Sequence, residues 1–513
     1  MSAPRAVLGW SASIALVACA TTMVPVKSLG VTPAATVDGK PAFLKAHLAD
    51  GSLLIMDANA WQVDTLHRTI RGRGRRFDVN RQVVDSGELT ASMDAIALFE
   101  TNVVKQHRMV SAMSFVSGVS AVVTLSCLAN PKACFGSCPT FYVTDGSSDV
   151  LQAEGFSASV APALEATDLD ALYRARPRSR RLDIRMTNEA LETHVVRRVH
   201  LLAVRRSAAG RVFATQSGQF WHASSLVAAA SCGAAEGDCL IPIRDADNLE
   251  RFSTTDSTDL ATRETIDLVF PRRSGALGLV IASRQTLLTT YVLYQALAYL
   301  GPSAGAFLAS LATSADARYH AGSLGRLLGG IDVQLLDAAG AWRTVGSLAE
   351  TGPLATDVKV VPLPTIVDDD SLRVRLSLTR GLWRIDQIAL ASLDSAHAPV
   401  RLKPVAVRRD GREDPAALAA LRDSTEPLVT LPGDAYAISF ELPADFKEHE
   451  LFLESRGYYI EWMREEWMRE ANPMRAAMLV TDPAASLRLL APEFKRLEPR
   501  MEAMFWASRY VRP

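Results

Sequence analysis

Cys134 and Cys138, set three residues apart in CFGSCP, are the first pair in this sequence whose type and spacing could do chemistry. Two thiolates so placed can clamp a soft metal such as Cu(I), shuttle between dithiol and disulfide, or close a small structural loop. Cys232 and Cys239 flank GAAEGD, and Cys127 stands the same gap ahead of Cys134, so the partner of Cys134 is open between Cys127 and Cys138. A second pattern is GPSAG, Gly301 to Gly305, which matches Gly-x-Ser-x-Gly. That chemistry needs a sharp strand-to-helix turn presenting the Ser303 hydroxyl to a histidine, with His320, His397 and His449 downstream as candidates. The nine histidines otherwise show no zinc-binding spacing. VDDDS, 367 to 371, could offer oxygen ligands to calcium but reads better as a solvated turn. GRG, 72 to 74, lacks a phosphate-loop setting, and the Asp-Ser-Thr runs at 256 and 423 suit turns.

The elements that would have to hold these groups favour structure over catalysis. CFGSCP resembles the Cys-x3-Cys-Pro of Sco-type copper-delivery proteins, which implies a thioredoxin-like βαβ setting and a distant histidine; neither is visible around it. GPSAG resembles the elbow of α/β-hydrolases, a resemblance that implies alternating strands and helices along the whole chain, and the strand pattern below contradicts it. The expectation is therefore structural disulfides among Cys134, Cys138, Cys232 and Cys239, with no catalytic residue, cofactor or metal assigned.

The N-terminus sets the compartment. Arg5 is followed by an uncharged, mostly apolar run to Ala18 and then Cys19, the build of an export signal too short to span a bilayer. Leu16-Val17-Ala18-Cys19 resembles the lipobox of bacterial lipoproteins. The resemblance implies cleavage before Cys19, lipidation of its thiol, and, with Ala at position 20, an outer-membrane address. An oxidising compartment then suits disulfides. Lysine plus arginine number 55 against 56 acids, so no global field draws nucleic acid. The run RARPRSRRLDIR, 174 to 185, is basic locally and reads as solvated strand flanks.

An internal duplication organises the rest. DSTDLATRETIDLVFP (256 to 271) answers to DSTEPLVTLPGDAYAISFELP (423 to 443), and each is followed by a Ser-Arg pair, Ser283-Arg284 and Ser455-Arg456. Upstream, LDIRMTNEALETHVVRRVHLLAV answers to LRVRLSLTRGLWRIDQIALAS, and a looser pair ends in ATD at 168 and at 357. LDIRM and LRVRLSL alternate apolar and charged residues, the period of half-buried strands. The expected fold class is mainly β (α+β): a small N-terminal β module followed by two tandem, internally duplicated β-sandwich-like domains with helical insertions. The expected divisions are a signal peptide with lipobox at 1–19, a β module at 40–105, an apolar helix and connector at 106–138, repeat 1 with a helical hairpin at 139–325, repeat 2 at 326–490 and a C-terminal helix at 491–513.

Residues 109 to 131 form an uncharged run long enough to cross a membrane, but rich in serine, so a buried connector is the preferred reading. The run from Gln285 to Leu311, broken by Gly-Pro, reads as a helical hairpin at one end of a sandwich. The aromatics of GYYIEW, 457 to 462, suit either a docking patch or a strand core, with the core preferred. Ser137 to about Asp168 resembles a segment of uncharacterised exported bacterial proteins in which Ser-Cys-Pro-x-x-Tyr leads into Asp-Gly; this implies export and a β-rich fold only. The function these readings favour is a lipid-anchored envelope protein that binds or scaffolds, with a membrane, an envelope protein or a surface ligand as partner. A Ser303 hydrolase and a copper or thiol-redox protein using Cys134 and Cys138 are the alternatives.

Overall fold

The computed structural model describes residues 22–24, 36–37, 40–41, 44–101 and 138–508, apart from short gaps at 51, 65, 79–81, 145–147, 208–209, 338, 350, 365–370 and 423–425. Cys19, Cys127, Cys134, the apolar run at 109–131 and most of VDDDS lie outside the described residues. The chain is mainly β, built of antiparallel sheets with few helices.

The first sheet has six strands in the order Thr22–Val24, Ile96–Thr101, Leu44–Leu48, Leu53–Asp64, Thr69–Phe77, Val83–Ser92, all antiparallel. Thr69–Phe77 reads TIRGRGRRF, and its alternation is realised literally: Ile70, Gly72 and Gly74 are buried while Arg71, Arg73 and Arg75 are exposed. Glycine is required on the inner face because a Cβ at Gly72 or Gly74 would stand 2.4 Å from the Ala60 carbonyl or 2.1 Å from that of Ile55. The pairing slips between Met56 and Trp61, folding the long strand over its neighbour there. Leu98 and partly buried Ala97 pack this module against Leu297, Ala304 and Leu308 of the apolar helices.

Two sandwiches follow. In the first, the sheet Asp149–Glu154, Thr140–Thr144, Arg181–Thr187, Ala435–Glu441, Ala406–Arg409, Arg412–Glu413 faces a sheet of Ala166–Ala171, His449–Glu461, Glu192–Arg205 and Val400–Leu402, with Leu428–Thr430 also paired to Glu192–Arg205. Phe141, Ile184, Ile438 and Phe440 of one face meet Val196, Val199, Leu201 and Leu453 of the other. In the second sandwich the corresponding sheet runs Trp342–Leu348, Ile331–Leu336, Ser371–Thr379, Arg263–Pro271, Ser231–Ala234, Gly237–Asp238, the same order position by position. Its opposite sheet centres on Leu277–Gln285 paired with Trp383–His397, as His449–Glu461 pairs with Glu192–Arg205.

The tandem layout at 139–325 and 326–490 is corrected by this topology. Arg181–Thr187 does not pair with Arg263–Pro271 of its own repeat but with Ala435–Glu441 of the other, and Arg263–Pro271 pairs with Ser371–Thr379. Each sandwich takes strands from both repeats, and residues 211–397 supply every strand of one sandwich, inserted between the two parts of the other. The physical reason is equivalence. Duplicated strands present the same edge and the same apolar face, so a partner in the other copy satisfies them as well as one in their own. The Ser-Arg pairs hold matching places: Ser455 opposes Val199 and Ser283 opposes Ile385, each serine buried.

The sandwiches meet along the two ATD strands. Lys359, buried, donates across the seam to the Leu169 carbonyl at 2.6 Å and within its own strand to Asp357 at 2.7 Å. Continuing the ATD match by two residues sets Asp170 of one copy against Lys359 of the other, so the copies have diverged to opposite charge where they touch.

Leu288–Leu300 and Ala304–Ser310 are helices joined by a single 3-10 turn at Gly301–Ser303. Together they are long and apolar enough to cross a membrane, yet Leu288, Tyr291 and Val292 sit in the second sandwich's core and Leu297, Ala298 and Leu308 in a separate apolar cluster. The last helix begins at Pro483, earlier than residue 491, and runs to Ser508.

Candidate functional site: a basic groove between the sandwiches

Both sandwiches contribute to one large groove of about 2010 Å³. Arg174, Arg176 and Arg178 come from the loop after Ala166–Ala171, Arg185 from Arg181–Thr187, Arg206 and Arg211 from the crossing between sandwiches, and Lys447 from the turn before His449–Glu461. Against these seven cations the lining offers three carboxylates, Asp149, Asp386 and Glu450, so the groove carries positive charge in a molecule whose total is near neutral. A concave cationic wall concentrates anions from solution.

Aromatic rings fix two of these cations. The Arg185 guanidinium lies 4.5 Å over the Tyr142 ring and 3.4 Å from Asp149. Arg211 lies 4.0 Å over Tyr173 and 3.5 Å from Glu450, which also stands 3.9 Å from Arg206. Tyr173 rivets the two sandwiches, donating its hydroxyl to the Val212 carbonyl at 2.7 Å and packing edge-on to Phe213 and Phe452. A planar cation held over a ring keeps its donors aimed outward at little further entropic cost, the arrangement that recognises carboxylate, sulfate or phosphate. Arg176 bonds the Tyr173 and Ala175 carbonyls at 2.8 and 2.9 Å, so no carboxylate in those contacts neutralises it.

The groove's acids are not ordinary ones. Burial pushes the Asp386 carboxyl up to about 6, against the pull of the Asn248 N–H that it accepts at 2.7 Å. Burial also raises Glu450, with Arg211 and Arg206 pulling the other way. Both carboxylates are therefore more easily neutralised than surface ones, which leaves the cations dominant.

Away from the groove, Glu192 and Glu461 face each other across the central strand pair at 0 % and 4 % exposure. Burial raises both carboxyls, Glu192 to about 8 and Glu461 well above its usual range, and the two share a hydrogen bond. His194 lies 3.0 Å from Glu192 and is itself held neutral by burial, down to about 3. Arg464 stands 3.8 Å from Glu461.

The residues singled out by sequence do not gather at the groove. Cys232 and Cys239 form a disulfide, Cα atoms 5.1 Å apart, stapling a short hairpin onto the second core. Cys138 is buried with a free thiol; burial, then Glu154 and Glu192, push that thiol well above its ordinary range, which disfavours the thiolate that a soft metal needs. Ser303 is exposed at the start of Ala304–Ser310 and makes no side-chain capping bond. A helix precedes its turn, so the strand-turn-helix elbow is not formed. The histidine packed on this segment is His47, against Gly305 and engaged with Glu100 at 3.1 Å, not one of the three downstream. Tyr458, Tyr459 and Trp462 of GYYIEW are buried, and Trp462 donates to Thr193 at 2.9 Å. Among the described residues no cluster of three or more His, Cys, Asp or Glu could hold a metal.

The groove has one signal in the sequence, the arginine run 174 to 185: Arg174, Arg176 and Arg178 are exposed, as solvated flanks are, and with Arg185 they line the concavity. Neither a protein-family model nor a curated protein matches this chain.

Proposed function

We propose that this chain is a binding protein of the bacterial cell envelope, lipid-anchored through Cys19, whose inter-sandwich groove takes an anionic ligand. The observation that carries the reading is the cationic excess of the groove wall, with Arg185 and Arg211 stacked on Tyr142 and Tyr173. A groove of about 2010 Å³ is roomier than a pocket for one small metabolite, which spans roughly 300–1,000 Å³. An extended ligand such as a sulfated or phosphorylated glycan, or an acidic chain segment, fits it better. The export-like N-terminus and the Cys232–Cys239 disulfide support an oxidising compartment.

Titration with dextran sulfate against neutral dextran tests the groove. Saturable binding to the sulfated polymer, weakened by salt and abolished by Arg176→Glu with Arg211→Glu, is expected. Equal affinity for both polymers, or binding indifferent to those changes, would refute it. Intact mass from the native membrane fraction tests the anchor: an acyl adduct on a chain beginning at Cys19 is expected.

A further inference from the structure

We propose that the N-terminal sheet rests on an anionic lipid surface through an arginine ladder on Thr69–Phe77, an inference that relies on the anchored reading. Arg71, Arg73 and Arg75 project from one face of this strand, about 7 Å apart along it, all exposed. The arginines at the ladder's ends are neutralised, Arg68 by Asp94 and Arg76 by Asp50 at 3.3 Å. The three between them have no carboxylate partner among the described residues; Glu88, across the sheet from Arg73, forms no ion pair with it. Three guanidinium groups in a row with no carboxylate partner, Arg75 resting 5.7 Å over the Phe77 ring, call for an anionic counter-surface. Apolar side chains flank them: Leu66 at the turn entering the strand is 85 % exposed, and Val83 and Val84 on the neighbouring strand are more than half exposed. Charge with apolar tips is the composition of an interfacial membrane contact.

The closeness of Cys19 to this sheet makes the occupant a bilayer. Thr22, three residues after Cys19, already belongs to the sheet. Three residues reach about 10 Å, so a lipid on Cys19 would hold this sheet, not the sandwiches, against the membrane. The register carries the level of Thr22 across the sheet through Thr101, which follows the Glu100–Lys45 pair, then through Leu44 and Met56 to Gly74, between Arg73 and Arg75 of the ladder. The ladder and the anchor therefore share one level of one sheet, four strand spacings or about 19 Å apart.

The full chain carrying Cys19→Ser, which cannot be acylated, is sedimented with vesicles of phosphatidylcholine alone or mixed equally with phosphatidylglycerol. Partition should favour the anionic vesicles and weaken with salt. Each basic group at an anionic surface is worth roughly fivefold, so Arg71→Ser/Arg73→Ser/Arg75→Ser should cut that partition roughly a hundredfold. The groove variant Arg174→Ser/Arg176→Ser/Arg178→Ser should keep it. Undiminished partition of the ladder variant, or loss in the groove variant instead, would overturn the proposal, as would ladder-dependent binding of soluble polyphosphate without any vesicle binding. The apolar N-terminal run contributes alike to both vesicle types and both variants. Because the test chain bears no lipid, a negative result here leaves acylation of Cys19 standing, and an unacylated native mass would leave a positive result here standing.

Discussion

Replacing Glu192 with glutamine should make the protein more stable in alkali and flatten its stability against pH. Glu192 lies fully buried opposite Glu461, and burial lifts its carboxyl from 4.5 to about 8. A carboxyl whose folded-state value is raised contributes stability that is complete below its unfolded value and is lost as pH rises through the folded one. Each tenfold change in proton affinity is worth about 1.4 kcal/mol. For a carboxyl moving from 4.5 to about 8, the contribution lost between pH 5 and pH 8 is then about 3.5 kcal/mol. Other buried groups act outside that comparison. His194, depressed to about 3, destabilises only as pH falls below its ordinary range, and it is present in both proteins. Glu100 is buried too, but His47 and Lys45 overcome that and hold it at about 2, so it stays ionised throughout. Urea denaturation of both proteins from pH 5 to pH 8 gives the difference directly, since glutamine keeps an acceptor for His194 and cannot ionise. The gap between variant and parent should widen by about 3.5 kcal/mol over that interval. Parallel curves would refute the assignment, and a widening only with Glu461→Gln would place the titrating proton on the other carboxyl.

Asp386→Asn should strengthen dextran sulfate binding severalfold at pH 8 and remove the rise in affinity that the parent shows as pH falls through about 6, because that carboxylate opposes the ligand only while ionised; titrations at pH 5 and pH 8 check it. Cys232→Ala with Cys239→Ala should lower stability by about 2.5 kcal/mol, the loop entropy of a bridge spanning seven positions, read as a shift in denaturant midpoint. Lys359→Met should cost about 3–5 kcal/mol by stranding Asp357 at the seam, and adding Asp357→Asn should recover part of it. Tyr173→Phe removes only the hydroxyl bridge to Val212 and should cost about 1 kcal/mol while leaving Arg211 stacked and sulfate-polymer affinity intact.

Much of the architecture could be read from residue patterns because those patterns are local. The alternation of LDIRM and LRVRLSL marks half-buried strands wherever they pair, and both became central strands of equivalent sheets. The charge-free run after Gln285 became helical, with a break at Gly301, whose positive φ of 48° ends its first helix. Strand partners were not legible. Arg263–Pro271 and Ala435–Glu441 are copies, so LDIRM suits either edge, and the choice between them rests on contacts far apart in the chain. The groove was hidden for the same reason: Arg178 and Lys447, or Asp149 and Asp386, become neighbours only once the exchanged pairing sets the sandwiches side by side. The Glu192–Glu461 pair is likewise a property of the closed sheet.

The exchange of strands between repeats also dictates an order of assembly. Residues 211–397 contain every strand of their own sandwich, so its strand pairing is complete once the Trp383–His397 strand is available, and Leu487, Leu490 and Phe494 join its core last. The outer sandwich lags: Glu192–Arg205, made early, must wait with its apolar face open until His449–Glu461 arrives. As the chain emerges N-terminus first during synthesis, the half-sandwich at 140–205 stands with its apolar face open while the strands of the inner unit form beside it. Such an interval is an opening for chaperone capture or for aggregation, and a truncation ahead of His449 leaves Glu192–Arg205 without its main partner strand.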